Sequence, residues 1–371
     1  MDRNDLRSQS LDLLRFPLAI VVLTIHLLFP ASYDDFSSSP FLLGTTDLIS
    51  GLLLDQSVPI YFFISGFVFF LNKDFNKEVY ARKLRNRTKS LLIPYLVWNS
   101  AAIMKLLLFA MPLLAPLFSN QRTLSDFDFS PDSLLFSFWD ESQGITHQAR
   151  PATNDIFPID SPLWFVRDLM IVVVSTPIIY AVLKRLRQYA VYGLGLLWFI
   201  LGIWPLGHAN QLLTAFFFFS WGGYLSICNK DILAVFGRFA KPAIVAYIIF
   251  SVAYALCCRS CAPEITLILK KTNQCAGLIV AYDAAAWLLR HKVCKANHFL
   301  AASSFFIYVG HILVIHEVRM VFVRLLNPSS PWQFAAVHAL TFASTIALLL
   351  TTFYILRKLA PGLTKVITGR K

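Results

Sequence analysis

Charge is scarce in this chain. Of its 371 residues, 15% are Asp, Glu, Lys or Arg, where an ordinary soluble domain carries about 25%. A disordered polar chain and a coiled coil, both built on charge, are excluded. Cysteine is also sparse. Cys257, Cys258 and Cys261 cluster, while Cys228, Cys275 and Cys294 are scattered, which is no secreted disulfide framework. One local disulfide between Cys258 and Cys261 and a set of packed or free thiols are both open. A Cys-x-x-Cys without a second pair of ligands is weak evidence for zinc, and no metal is expected. Walker and dinucleotide Gly fingerprints are missing, as are a Gly-x-Ser-x-Gly elbow and any internal repeat. ATP-driven transport and flavin or nicotinamide chemistry therefore lack local support.

What fills the chain is apolar sequence, 57% by residue. Runs such as FPLAIVVLTIHLLF (16–29) and IVVVSTPIIYAVL (171–183) cannot form a water-facing surface. A helix crosses a bilayer in about 20 apolar residues. On that measure about ten candidate spans fall near 13–30, 52–71, 91–112, 162–183, 190–206, 212–228, 242–258, 272–289, 301–323 and 333–356. Backbone amides cannot stay unpaired in lipid, and the ten-residue alternation of a barrel is missing. The fold expected is an all-α polytopic membrane protein, one membrane domain over 1–371.

Charge placement orients it. With the N-terminus inside, the inner connections and tail carry +18 and the outer connections −6, recovering the net +12. Lys and Arg collect on the cytoplasmic side of membrane proteins, so both termini are expected there. The basic excess reports topology and contact with anionic membrane lipid, with no nucleic acid expected. The first apolar run lacks a small-x-small cleavage site and is expected to remain as an anchor. The longest connection, 119–160, is acidic and falls outside. Leu and aromatic spacing in LLFSFW suggests a short interfacial helix within it. The segment reads equally as a cover over an outward cavity and as a tether.

Ionisable groups at membrane depth mark function by default. Arg15 and His26 stand eleven residues apart in RFPLAIVVLTIH, a rise of about 16.5 Å and about three turns, which places both on nearly one face. A snorkelling anchor and a satisfied core histidine give the same pattern. Pro17 suits an early helical position. Ser65-Gly66 in the next span permits close helix approach. Arg82, Lys83, Arg85, Arg87 and Lys89 follow it, either as a positive-inside anchor or as a clamp for phosphate. Arg167 and Asp168 are sequence neighbours that point different ways on a helix, so adjacency alone makes no ion pair. Asp283, Tyr308, His311, His316, Glu317, Arg319 and His338 are further polar residues at or near membrane depth.

Taken in order, the segments resemble the acyltransferase 3 family of integral membrane acyltransferases. SLDLLRFPLAIVVLTIH holds the family's Arg-x10-His spacing at Arg15 and His26. PIYFFISGF, RNRTKSLLIPYLVW, SPLWFVRDL and SFFIYVGH match later family segments across nearly the whole chain. The basic segment departs from the common two-Arg pattern: Arg87 matches, while Ser90 takes the second basic position and Lys89 lies beside it. The resemblance implies about ten helices, a bacterial inner-membrane location, and transfer of an acyl group, often acetyl, from cytosolic acyl-CoA (acetyl-CoA) to a hydroxyl. The acceptor it implies is an extracytoplasmic glycan or lipid-linked sugar. It casts His26 as the essential histidine, either general base or acyl carrier, and Arg15 as its partner. Arg85, Arg87 and Lys89 become candidate contacts for donor phosphate, and Tyr308 and His311 further site residues. A secondary transporter or flippase of a glycan precursor is the competing reading.

Overall fold

The computed structural model describes residues 2–28, 35–54, 56–71, 75–111, 124–204 and 206–369. Residues 29–30, 55, 112 and 205, within expected spans, and 119–123, at the start of the expected outer loop, lie outside them. Among the described residues every regular element is helical, with no strand. In chain order the α-helices are α1 (Arg3–Leu28), α2 (Pro40–Ile49), α3 (Ser57–Phe70), α4 (Lys77–Arg87), α5 (Ile93–Phe109), α6 (Pro131–Ser137), α7 (Trp164–Val174) and α8 (Thr176–Leu186). They continue as α9 (Gln188–Leu201), α10 (His208–Ile227), α11 (Ile232–Cys257), α12 (Pro263–Arg290), α13 (His298–Gly310), α14 (Ile315–Leu326), α15 (Pro331–Leu359) and α16 (Pro361–Thr368).

The protein is an all-α, multi-pass membrane protein. Among the described residues five helical stretches are long and apolar enough to cross a bilayer, and up to seven if each of two bent pairs is one span. The five are Arg3–Leu28, Pro40–Phe70, Lys77–Phe109, Ile232–Cys257 and Pro331–Leu359. Helix α1 begins far upstream of the apolar run, because Leu6, Ser10, Leu11 and Leu14 recur on one face and are buried. Pro17 is consequently inside the helix, where it withholds one backbone hydrogen bond; the early position expected for it is corrected. The second span also starts early, at Ser39, whose hydroxyl caps α2 ahead of Pro40. The expected single span at 162–183 bends by 65° between α7 and α8. Pro177 in the first turn of α8 cannot donate to the preceding turn, which accounts for the break.

The chain divides into two compact units, Met1–Tyr80 with Val174–Trp204 and Asn210–Ser304, and Ala81–Val173 with Pro205–Ala209 and Phe305–Lys371. In the first unit α11 and α12 form a long hairpin, and α1 packs on α12. A π-helical turn, Ser50–Leu54, joins α2 toward α3. Its carbonyls are satisfied from outside: Asn273 Nδ2 and Ser251 Oγ donate to the Gly51 carbonyl at 2.6 and 3.1 Å, and the Tyr247 hydroxyl donates to Leu52. Helices α3 and α10 cross closely, since a Cβ on Gly66 would run into the Phe219 carbonyl and one on Gly222 into that of Phe63. That is the use expected for Ser65-Gly66. Buried Asp47 takes a two-pronged contact from Arg259 at 2.7 and 3.1 Å. The six cysteines are free thiols.

In the second unit α16 folds back on α5, with Trp98 Nε1 donating to the Ile367 carbonyl at 2.9 Å. Gly369 ends α16 at φ +64°, its backbone against the Ser90 carbonyl, where a side chain would not fit. The segment before α7 is folded. It contains α6, and Phe127 and Ile145 bury with Ala110 in a small core of their own.

Candidate active site

Arg15 and His26 both lie on α1, in the first unit, half-buried, with His26 in the last turn. Arg15 Nη1 pairs with Asp12 at 2.8 Å, one turn back. Tyr61, from the PIYFFISGF segment, donates its hydroxyl to the Arg15 carbonyl at 2.8 Å. Two segments singled out in the sequence therefore meet. An aromatic cavity of about 770 Å³ in the same unit, lined among others by Trp198, Phe217, Trp221 and Lys230, includes neither Arg15 nor His26.

The other expected site residues belong to the second unit. Arg85 and Arg87 occupy the last turn of α4, and Lys89 the π-helical turn Thr88–Leu92 that follows. Arg85 and Lys89 are exposed and Arg87 half-buried, so the basic segment is a helix with guanidinium groups that solvent reaches. Tyr308 and His311 are both buried. Tyr308 donates its hydroxyl to the Pro162 carbonyl, tying SFFIYVGH to SPLWFVRDL. His311 opens a short 3-10 turn between α13 and α14, a pair bent by 57°. Its Nδ1 lies 3.1 Å from the Ile307 carbonyl. A carbonyl only accepts, so in the neutral ring Nδ1 carries the hydrogen and Nε2 holds the lone pair.

The second unit also encloses, wholly or in part, further polar groups, some of which sequence spacing did not single out. Asn99 Oδ1 accepts from the Asp160 backbone N–H at 3.1 Å, while Asn99 Nδ2 donates to the Tyr95 carbonyl at 2.9 Å. The Asp160 side chain is fully buried, and neither carboxylate oxygen has a hydrogen-bond partner among the described residues. Burial raises its pKa well above the ordinary carboxylate value, against the pull of Lys105. Glu141 is likewise raised by burial, with Thr146 opposing. Lys105 Nζ pairs with Glu317 at 2.8 Å. Arg167 and Asp168 are ion-paired after all, Nε to Oδ1 at 2.9 Å, both buried. The guanidinium also donates to the Trp139 carbonyl at 2.8 Å and the Ile156 carbonyl at 3.3 Å. His208 Nε2 meets the same Asp168 oxygen at 2.9 Å. An Asn and a Lys inside the apolar run IPYLVWNSAAIMKLLLF were the sequence signal for Asn99 and Lys105; His208 offered none.

Among the described residues no group of three or more His, Cys, Asp or Glu is placed to hold a metal ion. What the two sets present is a histidine with an arginine on one membrane helix, and a tyrosine, a histidine and a basic helix in the second unit. The acyltransferase 3 family model, an acyltransferase domain, matches residues 8–350. The chain belongs to this family. Its acyltransferase segments extend through both units. It is similar to succinoglycan biosynthesis protein ExoH of Rhizobium meliloti (strain 1021), at 23% identity over 371 residues, covering 98% of this chain and 92% of that protein. No solved structure gives a significant match.

Proposed function

We propose that this membrane acyltransferase moves an acyl group, acetyl foremost, from cytosolic acyl-CoA to a hydroxyl of an extracytoplasmic glycan or lipid-linked sugar. The observation that carries the reading is the family match together with Arg15 and His26 on a single membrane helix. The likeness to a succinoglycan biosynthesis protein favours a glycan acceptor. In this reading the whole chain, 1–371, works as one membrane acyltransferase domain of about ten spans in a bacterial inner membrane, with both termini cytoplasmic and 119–160 outside. The charge split of +18 against −6 supports that orientation.

The chemistry follows from the side chains. An alcohol attacks a thioester only as its proton leaves; the imidazole of His26 is the group to take that proton and to hand it to the coenzyme thiolate that departs as the C–S bond breaks. The same nitrogen as a transient acyl carrier is the second possible role. Arg15 and His26 are about 16.5 Å apart along the helix, so they serve different parts of the donor: His26 the reacting carbonyl, Arg15 its phosphates. Arg85, Arg87 and Lys89 suit the phosphates of the coenzyme, since guanidinium groups pair with phosphate oxygens in a fork. Tyr308 and His311, in the second unit, are further candidates without an assigned role.

The two bent helix pairs favour a second reading, a transporter or flippase of a glycan precursor, because broken helices supply binding backbone at membrane depth. Labelled acyl-CoA supplied to inside-out vesicles separates the two. An acyltransferase puts label into glycan at the opposite face; a transporter moves glycan and leaves the label on the coenzyme.

A further inference from the structure

The second unit contains a cavity of about 250 Å³ lined in part by Lys105, Glu141, Thr146, Gln148, Ile312 and Leu313. It is smaller than the roughly 300–1,000 Å³ typical of drug-sized ligands, so it has room for one small ring and cannot hold a whole coenzyme or phospholipid. Its walls are of two kinds. Lys105, Glu141, Thr146 and Gln148 are its polar lining residues, and Ile312 and Leu313 are among its apolar ones. A pyranose ring has that same division, with hydroxyls around its edge and C–H groups on its faces.

The wall is held in place. Glu141 is buried, and its Oε1 accepts from the Thr146 backbone N–H at 3.1 Å and from the Thr146 hydroxyl. The loop carrying these residues is anchored through the Phe127–Ile145 core, against which Ile103 and Leu106 of α5 pack. Ile312 and Leu313 directly follow His311 in the turn between α13 and α14. Charge narrows the ligand further. Lys105 is neutralised by Glu317 at 2.8 Å, and the other ionisable residue lining the cavity is an acid, Glu141. Among the described lining residues no surplus positive charge is left for a carboxylated sugar.

We propose that this cavity is the acceptor subsite, receiving one uncharged sugar ring with its hydroxyl edge against Lys105, Thr146 and Gln148 and its C–H face against Ile312 and Leu313. The assignment rests on the acyl-transfer reading above and adds to it the place and the charge class of the acceptor.

The test uses the full chain in lipid nanodiscs and saturation-transfer NMR with methyl β-glucoside, methyl β-galactoside and methyl β-glucuronide as probes. Saturation should reach a neutral glycoside at least about tenfold more strongly than the uronide, the effect of about 1.4 kcal/mol of discrimination. Gln148→Trp, which fills the cavity from an exposed position, and Gln148→Ala, which removes the amide without adding bulk, should both weaken it. Equal saturation in wild type and both variants, or a preference for the uronide, overturns the subsite. Transfer of label from acyl-CoA is read on the same preparations. Transfer by Gln148→Trp at the wild-type acceptor concentration overturns the subsite and leaves the acyl-transfer reading standing. Loss of all transfer in wild type strikes that reading instead, and the sugar saturation still decides the cavity.

Discussion

Replacing Arg167 with Met removes the guanidinium from a buried ion pair and leaves Asp168 enclosed. Both side chains are buried, and the pair closes at 2.9 Å. Breaking such a pair from one side costs about 3–5 kcal/mol, because the remaining charge has lost its compensation without regaining water. His208 still meets the same carboxylate oxygen at 2.9 Å, which sets the expected cost near the lower end, about 3 kcal/mol. Arg167 also secures the Trp139 and Ile156 carbonyls, so the segment 139–156 should loosen with it. The assay is equilibrium unfolding in mixed micelles, with limited proteolysis of that segment alongside. Arg167→Met with Asp168→Leu, which removes both charges, should recover most of the loss. A single variant within about 0.5 kcal/mol of wild type, the range of an ordinary surface substitution, would refute the reasoning, as would a double variant worse than the single.

Gly66→Leu should abolish the close crossing of α3 and α10, since its Cβ meets the Phe219 backbone; loss of folded protein from the membrane measures it, and wild-type abundance would contradict it. Neutralising Arg87 to Gln should raise the acyl-CoA concentration needed while leaving acceptor demand unchanged, read by donor titration at saturating acceptor. Asp160→Asn should stabilise the protein at neutral pH. The folded-state pKa of Asp160 is raised by burial, so wild type is most stable below the unfolded value of about 3.9 and loses stability as pH rises toward the folded one. The gain from Asn should therefore vanish as pH approaches 4, in melting curves taken across pH. Asp128 runs the other way. Hydrogen bonds from Ser133 and Ser130 lower its pKa to about 2, so its contribution is present above about pH 4 and lost toward pH 2, and Asp128→Asn should flatten that part of the curve.

The helical membrane class was legible because long apolar runs leave few alternatives, and the close approach at Gly66 was legible from Ser-Gly in an apolar helix. The start of α1 was not. Asp and Arg residues interrupt the N-terminal segment, and only the spacing of Leu6, Leu11 and Leu14 shows that its buried face continues. The break before α8 is written in Pro177, yet the apolar run passes straight through it. The candidate site divides in the same way. Arg15 and His26 share one helix, so helical geometry alone relates them. The pairs Asp47–Arg259, Lys105–Glu317 and Asp168–His208 join residues far apart in the chain. Hydrophobic periodicity says which face of a helix is buried and nothing about which helix covers it. Asp160 had no sequence signal at all, since one Asp before Ser-Pro reads as an ordinary loop residue.

The claim that this chain is an acyltransferase acting through His26 is tested most directly by turnover of His26→Ala. Wild type and variant are reconstituted at matched abundance and orientation, labelled acyl-CoA is supplied on the cytoplasmic side at saturating concentration, and label in the glycan at the opposite face is counted over time. General-base catalysis contributes about 10²–10⁴-fold, so the variant should fall by at least about a hundredfold, with no rescue by further donor. Turnover near that of wild type would contradict the assignment and leave His26 a packing residue of α1.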